Sequence, residues 1–278
     1  MVRITSHPCL LTPGELKPES PLFVFLPGMD GTGQLLRSQT QGLTQAFDVR
    51  CLAIPPDDLN HWDDLTDEVI HLIEAELTER PSRSVYLCGE SFGGCLALKV
   101  ALRASHLFDR IILSNPATSF SQQPWFLWGS PLISWLPGNF YSLSALGFLP
   151  FLASLDKLAP SDRRALLDAM RSVPAKTANW RLSMLKEFNV DEGQLERLTQ
   201  PILVIASAAD RLWSSLPEAK YLVECLPNAK MLVLPHSGHA CLLEAAVNLF
   251  EILNDHDFLD SSVFARATAT SSTEIIGV

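Results

Sequence analysis

Three side chains in this sequence have the types and surroundings for acyl-transfer chemistry: Ser91 in Gly89-Glu-Ser-Phe-Gly93, Asp210 in Ala206-Ser-Ala-Ala-Asp210 and His239 in Pro235-His-Ser-Gly-His239. A serine hydroxyl is a weak nucleophile at neutral pH. It needs a base to take its proton and a carboxylate to orient that base. Glycines on both sides of Ser91 remove Cβ atoms that would crowd a sharp strand-to-helix turn, and such a turn lifts the hydroxyl above the sheet edge. The following helix aims its free N–H groups at the same place, so an oxyanion beside Ser91 would meet the Phe92 N–H. The bland alternative is a tight strand-to-helix turn with a hydroxyl cap. A second oxyanion donor is expected from the loop after an early strand, and in Leu26-Pro-Gly-Met29-Asp-Gly-Thr-Gly33 its place after Pro-Gly points to Met29. That loop matches neither G-x-G-x-x-G nor the Walker pattern, so it is not read as a phosphate site.

Each role has rivals. His236 competes as the base, but Gly238 before His239 gives the loop freedom to aim that ring. His7, His61, His71, His106 and His256 follow no late strand and read as surface or partly buried residues. Asp191, Asp255, Asp257 and Asp260 end no β-run, and Glu218 reads as a helical surface charge. Ser183-Met-Leu-Lys186 fits S-x-x-K but lies inside a helical pattern without the accompanying motifs. Neither H-E-x-x-H nor a similar metal cluster occurs, so no metal and no cofactor are expected. An aspartate nucleophile, as a dehalogenase or epoxide hydrolase of this kind would need, is excluded by Ser91.

The elements that must position these groups are readable from apolar runs. Pro21–Gly28, Val49–Ile54, Val85–Cys88, Arg110–Leu113, Pro201–Ala206 and Met231–Leu234 read as buried strands. Leu65, Val69, Leu72, Ile73 and Leu77 recur at helical spacing over Asp64–Glu79, with Asp64 as N-cap and Pro81 as the stop. Gly93–Ala104 reads as the helix after the serine. Strands alternating with helices predict an α/β fold, a mostly parallel sheet flanked by helices on both faces. In that fold Asp210 and His239 each follow a strand at its carboxyl end, in the chain order acid then histidine, so both can converge on Ser91. Strand signals vanish between residues 119 and 197. The expected layout is an extension over 1–20, a core of 21–118 and 198–255, a helical cap over 119–197 and a disordered tail over 256–278.

Composition sets the remaining limits. Of 278 residues, 47% are hydrophobic and 19% charged, enough apolar content for a sizeable core. A net charge of −10 without a Lys/Arg run argues against a nucleic-acid partner. Six cysteines without C-x-x-C spacing read as reduced thiols of an intracellular protein. No apolar leader segment and no run of about 18 apolar residues occur, so neither secretion nor a membrane span is expected.

With these stretches in hand, the chain resembles the α/β-hydrolase superfamily. More narrowly it is similar to the esterase/lipase/thioesterase-like domain of plant and cyanobacterial phytyl ester synthases. The matching runs are Phe25-Leu-Pro-Gly-Met-Asp-Gly-Thr-Gly33, Leu87-Cys-Gly-Glu-Ser-Phe-Gly-Gly-Cys-Leu-Ala-Leu98, Leu113-Ser-Asn-Pro-Ala-Thr-Ser119 and Gly238-His239. The resemblance implies movement or hydrolysis of fatty acyl groups, with phytol or diacylglycerol as acceptors and lipids or activated acyl carriers as donors. It also implies Ser91 as nucleophile, Asp210 as orienting acid and His239 as base. The plant proteins carry a second, acyltransferase-like domain with an H-x-x-x-x-D motif, and no such pair occurs in these 278 residues.

Pro124-Trp-Phe-Leu-Trp-Gly-Ser-Pro-Leu-Ile-Ser-Trp-Leu-Pro137 and Phe148-Leu-Pro-Phe-Leu152 crowd apolar side chains into the cap. Trp125, Trp128, Trp135 and Phe148 are therefore expected to line an acyl site and exclude water from it. The same aromatic residues suit contact with a membrane surface, and the bland alternative is packing of the cap on the core. The leading expectation is a serine acyl hydrolase acting on a lipid-like acyl ester or thioester. An acyltransferase using the same acyl-Ser91 intermediate is the second, and a binding protein that kept only the fold is the third. The expected location is cytoplasmic, peripheral at a membrane, the thylakoid if the resemblance holds.

Overall fold

Leu22–Leu26 forms strand β2, every residue of it buried. That is what a strand covered by helices on both faces requires. Its side chains alternate between the two faces. Leu22, Val24 and Leu26 join a cluster with Val69, Leu96 and Leu222, while Phe23 and Phe25 pack with Leu36, Leu43 and Leu249. The computed structural model describes residues 7–120, 149–212 and 214–260.

Around β2 the described residues build a seven-stranded sheet from β1 (Cys9–Leu11), β3 (Asp48–Ala53), β4 (Val85–Glu90), β5 (Arg110–Ser114), β6 (Ile202–Ser207) and β7 (Ala229–Leu234). The spatial order is β1-β3-β2-β4-β5-β6-β7. All neighbours are parallel except the antiparallel pair β1 and β3. The carboxyl ends of the six parallel strands therefore open at one edge, where loops collect functional groups. The expected mostly parallel sheet is present. Strand β1 lies within the stretch read as an extension, and three residues at a sheet margin carry too short an apolar run to stand out in the sequence.

Helices α1 (Arg37–Leu43), α2 (Trp62–Leu77), α3 (Phe92–Arg103), α7 (Ser215–Cys225) and α8 (Leu249–Asp255) flank the sheet. Between β5 and β6 the chain carries α4 (Pro160–Ser172), α5 (Ala175–Glu187) and α6 (Glu192–Leu195), in line with a helical insertion there. Helix α2 starts three residues earlier than expected, with His61 rather than Asp64 at the N-cap. Tertiary packing is the cause. The Trp62 ring stacks on Phe92 with centroids 4.8 Å apart and its N–H donates to the Met184 carbonyl at 2.8 Å, which draws the first turn back. Asp63 and Asp64 occupy that first turn, where they favour the helix dipole without capping.

Candidate active site

Strand β4 ends at Glu90, and Ser91 turns the chain into α3 with φ 55° and ψ −115°. A non-glycine residue there costs about 1–3 kcal/mol and persists only when its surroundings impose it. They do. The Ser91 N–H donates to the Ser114 carbonyl at 3.0 Å, and the Ser91 carbonyl accepts from Gly94 N–H at 2.9 Å and Ala117 N–H at 3.2 Å. The flanking glycines make the crowding possible. A Cβ on Gly93 would stand 2.0 Å from the Leu26 carbonyl oxygen, and one on Gly89 2.2 Å from that of Gly93. Both obstacles are backbone and cannot swing aside. Gly93→Ala is therefore expected to cost at least about 3 kcal/mol in urea unfolding; a loss below about 1 kcal/mol would contradict this packing.

The other two groups arrive from the same sheet edge. Asp210 sits three residues beyond β6, its side chain only 1% exposed. Its Oδ1 accepts from Leu212 N–H at 2.9 Å and its Oδ2 from the Ser215 hydroxyl at 2.5 Å. His239 follows β7; its Nδ1 lies 2.7 Å from Asp210 Oδ2 and its Nε2 2.8 Å from Ser91 Oγ. A carboxylate can only accept, so Nδ1 carries the proton and Nε2 is left to accept from the Ser91 hydroxyl. Burial pushes the imidazole toward its neutral form, but the charge and hydrogen bond of Asp210, with the charge of Glu90, outweigh it and hold the His239 pKa above the ordinary value. The structure thus brings Ser91, Asp210 and His239 together, separated by 148 and 29 positions in sequence.

The rival groups lie elsewhere. His236 is exposed, and its carbonyl accepts from the Lys157 ammonium. Asp191 closes a capping box on α6, and the Ser183 hydroxyl donates to the Asn179 carbonyl at 3.0 Å inside α5. His7, His71, His106 and His256 are exposed, while His61 pairs with Glu187. Gly238 plays a different part from the one its sequence suggests. Its φ is not positive; a Cβ there would lie 2.8 Å from the Ser154 backbone nitrogen, so glycine lets the His239 loop approach the inserted segment.

The Phe92 N–H opens α3, where helix geometry supplies no intrahelical acceptor. Met29 lies in the turn closed by Gly31 N–H to Gly28 O at 3.0 Å, and Gly28 faces Ser91: a Cβ built on Gly28 would lie 3.8 Å from that of Ser91. Trp125, Trp128, Trp135 and Phe148 lie outside the described residues.

Sequence reasoning overlooked two buried groups. Asn115, at φ 42°, follows β5 and donates through Nδ2 to Ser207 Oγ at 2.9 Å and to the His239 carbonyl at 2.7 Å. Its Oδ1 accepts from Ser207 N–H at 2.8 Å, so one amide ties β5 and β6 to the His239 loop. An Asn directly after a β-run, before Pro116, was the available signal. Glu90 is 5% exposed and its Oε1 has no hydrogen-bond partner among the described residues. Burial raises its pKa to about 7, opposed by His239 and reinforced by Asp30.

Glu218 is a correction. It is 3% exposed rather than a surface charge, because α7 turns it toward Ser119, whose side chain and backbone hydrogen-bond to it. It lines a cavity of about 700 Å³ with Leu98, Ser119, Phe188 and Tyr221, whose walls include none of Ser91, Asp210 and His239. Burial pushes the Glu218 pKa up from 4.5 to about 7. A carboxyl raised on folding stabilises fully below its unfolded value and loses that contribution as pH climbs through its folded value. Glu218→Gln should thus change stability little near pH 5 and add on the order of 3 kcal/mol at pH 8. Urea unfolding at the two pH values checks this; an equal effect at both would refute it.

Among the described residues no group of three or more His, Cys, Asp or Glu could hold a metal ion, and all six cysteines are free thiols. No described helix is long and apolar enough to cross a membrane.

Comparison with known proteins agrees with this architecture. Phytyl ester synthase 1, chloroplastic, of Arabidopsis thaliana is 32% identical over 261 residues, which cover 84% of this chain and 36% of that protein. The chain thus spans about a third of the length of that plant relative. A putative carbamate hydrolase, RutD, of Stutzerimonas stutzeri is 26% identical over 258 residues, covering 87% of this chain and 94% of that one. Among solved structures, a hydrolase from Oleispira antarctica superposes with a TM-score of 0.71 at 16% identity, over 91% of this chain and 94% of that one. MenH from S. aureus gives 0.70 at 15% identity, over 96% and 100%. At such identities these two establish the fold alone. The family model Hydrolase_4, described as Serine aminopeptidase, S33, matches residues 56–246, and the chain accordingly belongs to that family of α/β-hydrolases.

Proposed function

We propose that Ser91, Asp210 and His239 work as nucleophile, orienting acid and base of a serine acyl hydrolase acting on lipid-like acyl esters. The observation that carries this reading is the His239 ring bridging Asp210 Oδ2 and Ser91 Oγ at 2.7 and 2.8 Å. His239 Nε2 takes the Ser91 proton as Oγ attacks the acyl carbon, and the carbonyl electron pair moves onto oxygen. The N–H groups of Phe92 and Met29 receive that oxyanion. Collapse expels the alcohol, which takes the proton from His239 and leaves an acyl-Ser91 ester. Water, deprotonated by His239, attacks this ester and releases the fatty acid and the free serine.

A second reading is transfer of the same acyl group to an alcohol such as phytol, supported by the 32% identity to a phytyl ester synthase over 84% of this chain. An acyl-serine yields a new ester whenever an alcohol outcompetes water. Incubating the protein with a radiolabelled galactolipid or acyl-CoA, with and without phytol, and resolving the products separates the two. Free fatty acid that disappears in Ser91→Ala establishes the hydrolase; phytyl ester made only with Ser91 intact establishes the transferase. Products undiminished in Ser91→Ala would overturn both readings.

A further inference from the structure

We infer that Arg181, on the inserted helix α5, is a positioning residue that holds the Met29 loop in place beside Ser91 and so sets the second oxyanion donor. This rests on the reading of Ser91 as nucleophile and Met29 as donor. Arg181 is 2% exposed. Its Nη1 donates to the Met29 carbonyl at 2.7 Å and its Nη2 to the Pro55 carbonyl at 3.2 Å, so one guanidinium spans the loops that follow β2 and β3.

The Met29 loop has two ends, held by different means. At the far end Gly31 accepts from Ile54 N–H at 2.7 Å, and Gly33, at φ 65°, packs so tightly that a Cβ would lie 2.4 Å from the Leu52 carbonyl oxygen. The near end passes Ser91 at Gly28. Between them Met29 reaches its carbonyl away from the sheet to α5, and Asp30 folds back to accept from Thr32 N–H at 2.9 Å. Glycine at position 31, with φ 65°, clears the path: a Cβ there would meet Arg181 Nη1 at 2.7 Å. The loop is shaped to admit the guanidinium.

Stability alone is a poor explanation for this arginine. Burying a guanidinium costs several kcal/mol, against which stand its bonds to the two carbonyls and the nearby charges of Asp30 and Asp58. Helix α5 is also seated without it, since Trp180 N–H donates to the Asn60 carbonyl at 3.1 Å and Trp62 N–H to the Met184 carbonyl at 2.8 Å, one on each side of Arg181 in sequence. What Arg181 adds is a fixed direction for the Met29 peptide. An oxyanion donor must sit within a few tenths of an ångström of its place, because a donor lost or a displacement of about 1 Å costs on the order of 10² in rate.

The test compares Arg181→Met, which keeps the volume, and Arg181→Lys, which keeps the charge and one donor, with the intact protein on a p-nitrophenyl acyl ester. For Arg181→Met kcat should fall about 10²-fold with KM within about threefold, and Arg181→Lys should lie between. Affinity for a trifluoromethyl ketone bearing the same acyl chain, whose Ser91 adduct carries the oxyanion, should fall by the same factor as kcat/KM. A loss carried by KM, unchanged kinetics, or a kcat loss with undiminished ketone affinity would overturn the inference. If circular dichroism finds Arg181→Met unfolded, the same criteria apply to Arg181→Lys. Ser91→Ala, run alongside, separates the outcomes: turnover surviving in it defeats the nucleophile assignment, whereas wild-type behaviour of the Arg181 variants defeats only the present inference.

Discussion

Replacing Ser91 with Ala is expected to lower kcat for acyl ester hydrolysis by about 10⁴–10⁶-fold and to abolish labelling by a fluorophosphonate. The magnitude follows from the chemistry assigned to the position. Without Oγ no acyl-enzyme forms, and the reaction falls back on water with whatever help the oxyanion donors give. Structural damage cannot account for such a result, because the backbone around residue 91 is held by bonds from its own N–H and carbonyl, to Ser114, Gly94 and Ala117, none of which involves the hydroxyl. Removing the Oγ also leaves His239 Nε2 facing a small gap rather than a clash. The melting temperature should thus stay close to that of the intact protein. An alanine variant that labels normally, or that keeps more than about a tenth of kcat, would remove Ser91 from the mechanism.

Asp210→Asn is expected to cost about 10⁴ in kcat while leaving KM nearly unchanged. Asparagine preserves the size: its Oδ1 can still accept from Leu212 N–H, and its Nδ2, standing where Oδ2 stood, can donate to the Ser215 hydroxyl oxygen. Its amide, however, can donate to His239 Nδ1. That selects the tautomer with the proton on Nε2, so the ring can no longer accept from Ser91. The pH profile carries a second signature. Asp210 helps to hold the His239 pKa above its ordinary value, so the acid limb of kcat/KM, below which the base is protonated, should start above that ordinary value in the intact enzyme. Removing the carboxylate charge should move the limb to lower pH even as the plateau drops. An unmoved limb would mean that another group sets it, and Glu90, with a pKa of about 7, would be the first to examine by Glu90→Gln.

These variants probe groups that differ in how openly the sequence displays them. Ser91 stands out because its constraint is local: the strand, the two glycines and the helix that strain its backbone all fall between Val85 and Arg103. Asp210 and His239 are legible for a related reason, since each closely follows its own buried strand, and parallel strands deliver their ends to one edge. Position after a strand suffices there. It does not suffice for Glu218, whose helical spacing looks like that of a surface charge and whose hydrogen-bond partner, Ser119, lies far away in the chain.

The mostly parallel sheet, the turn at Ser91 and the places of Asp210 and His239 after their strands are therefore legible in the sequence, because buried β-runs, glycine spacing and helical periodicity act over a few neighbouring residues. Three features come from the packing of distant segments instead: the placement of His239 Nε2 2.8 Å from Ser91, the Asn115 amide that ties β5 and β6 to the histidine loop, and the reach of Arg181 from an inserted helix to Met29. Each of those contacts joins residues more than 90 positions apart, and no local propensity carries a hydrogen bond across such a distance. It is the packing of whole elements, each holding its backbone at a fixed distance from the next, that brings those donors and acceptors within reach.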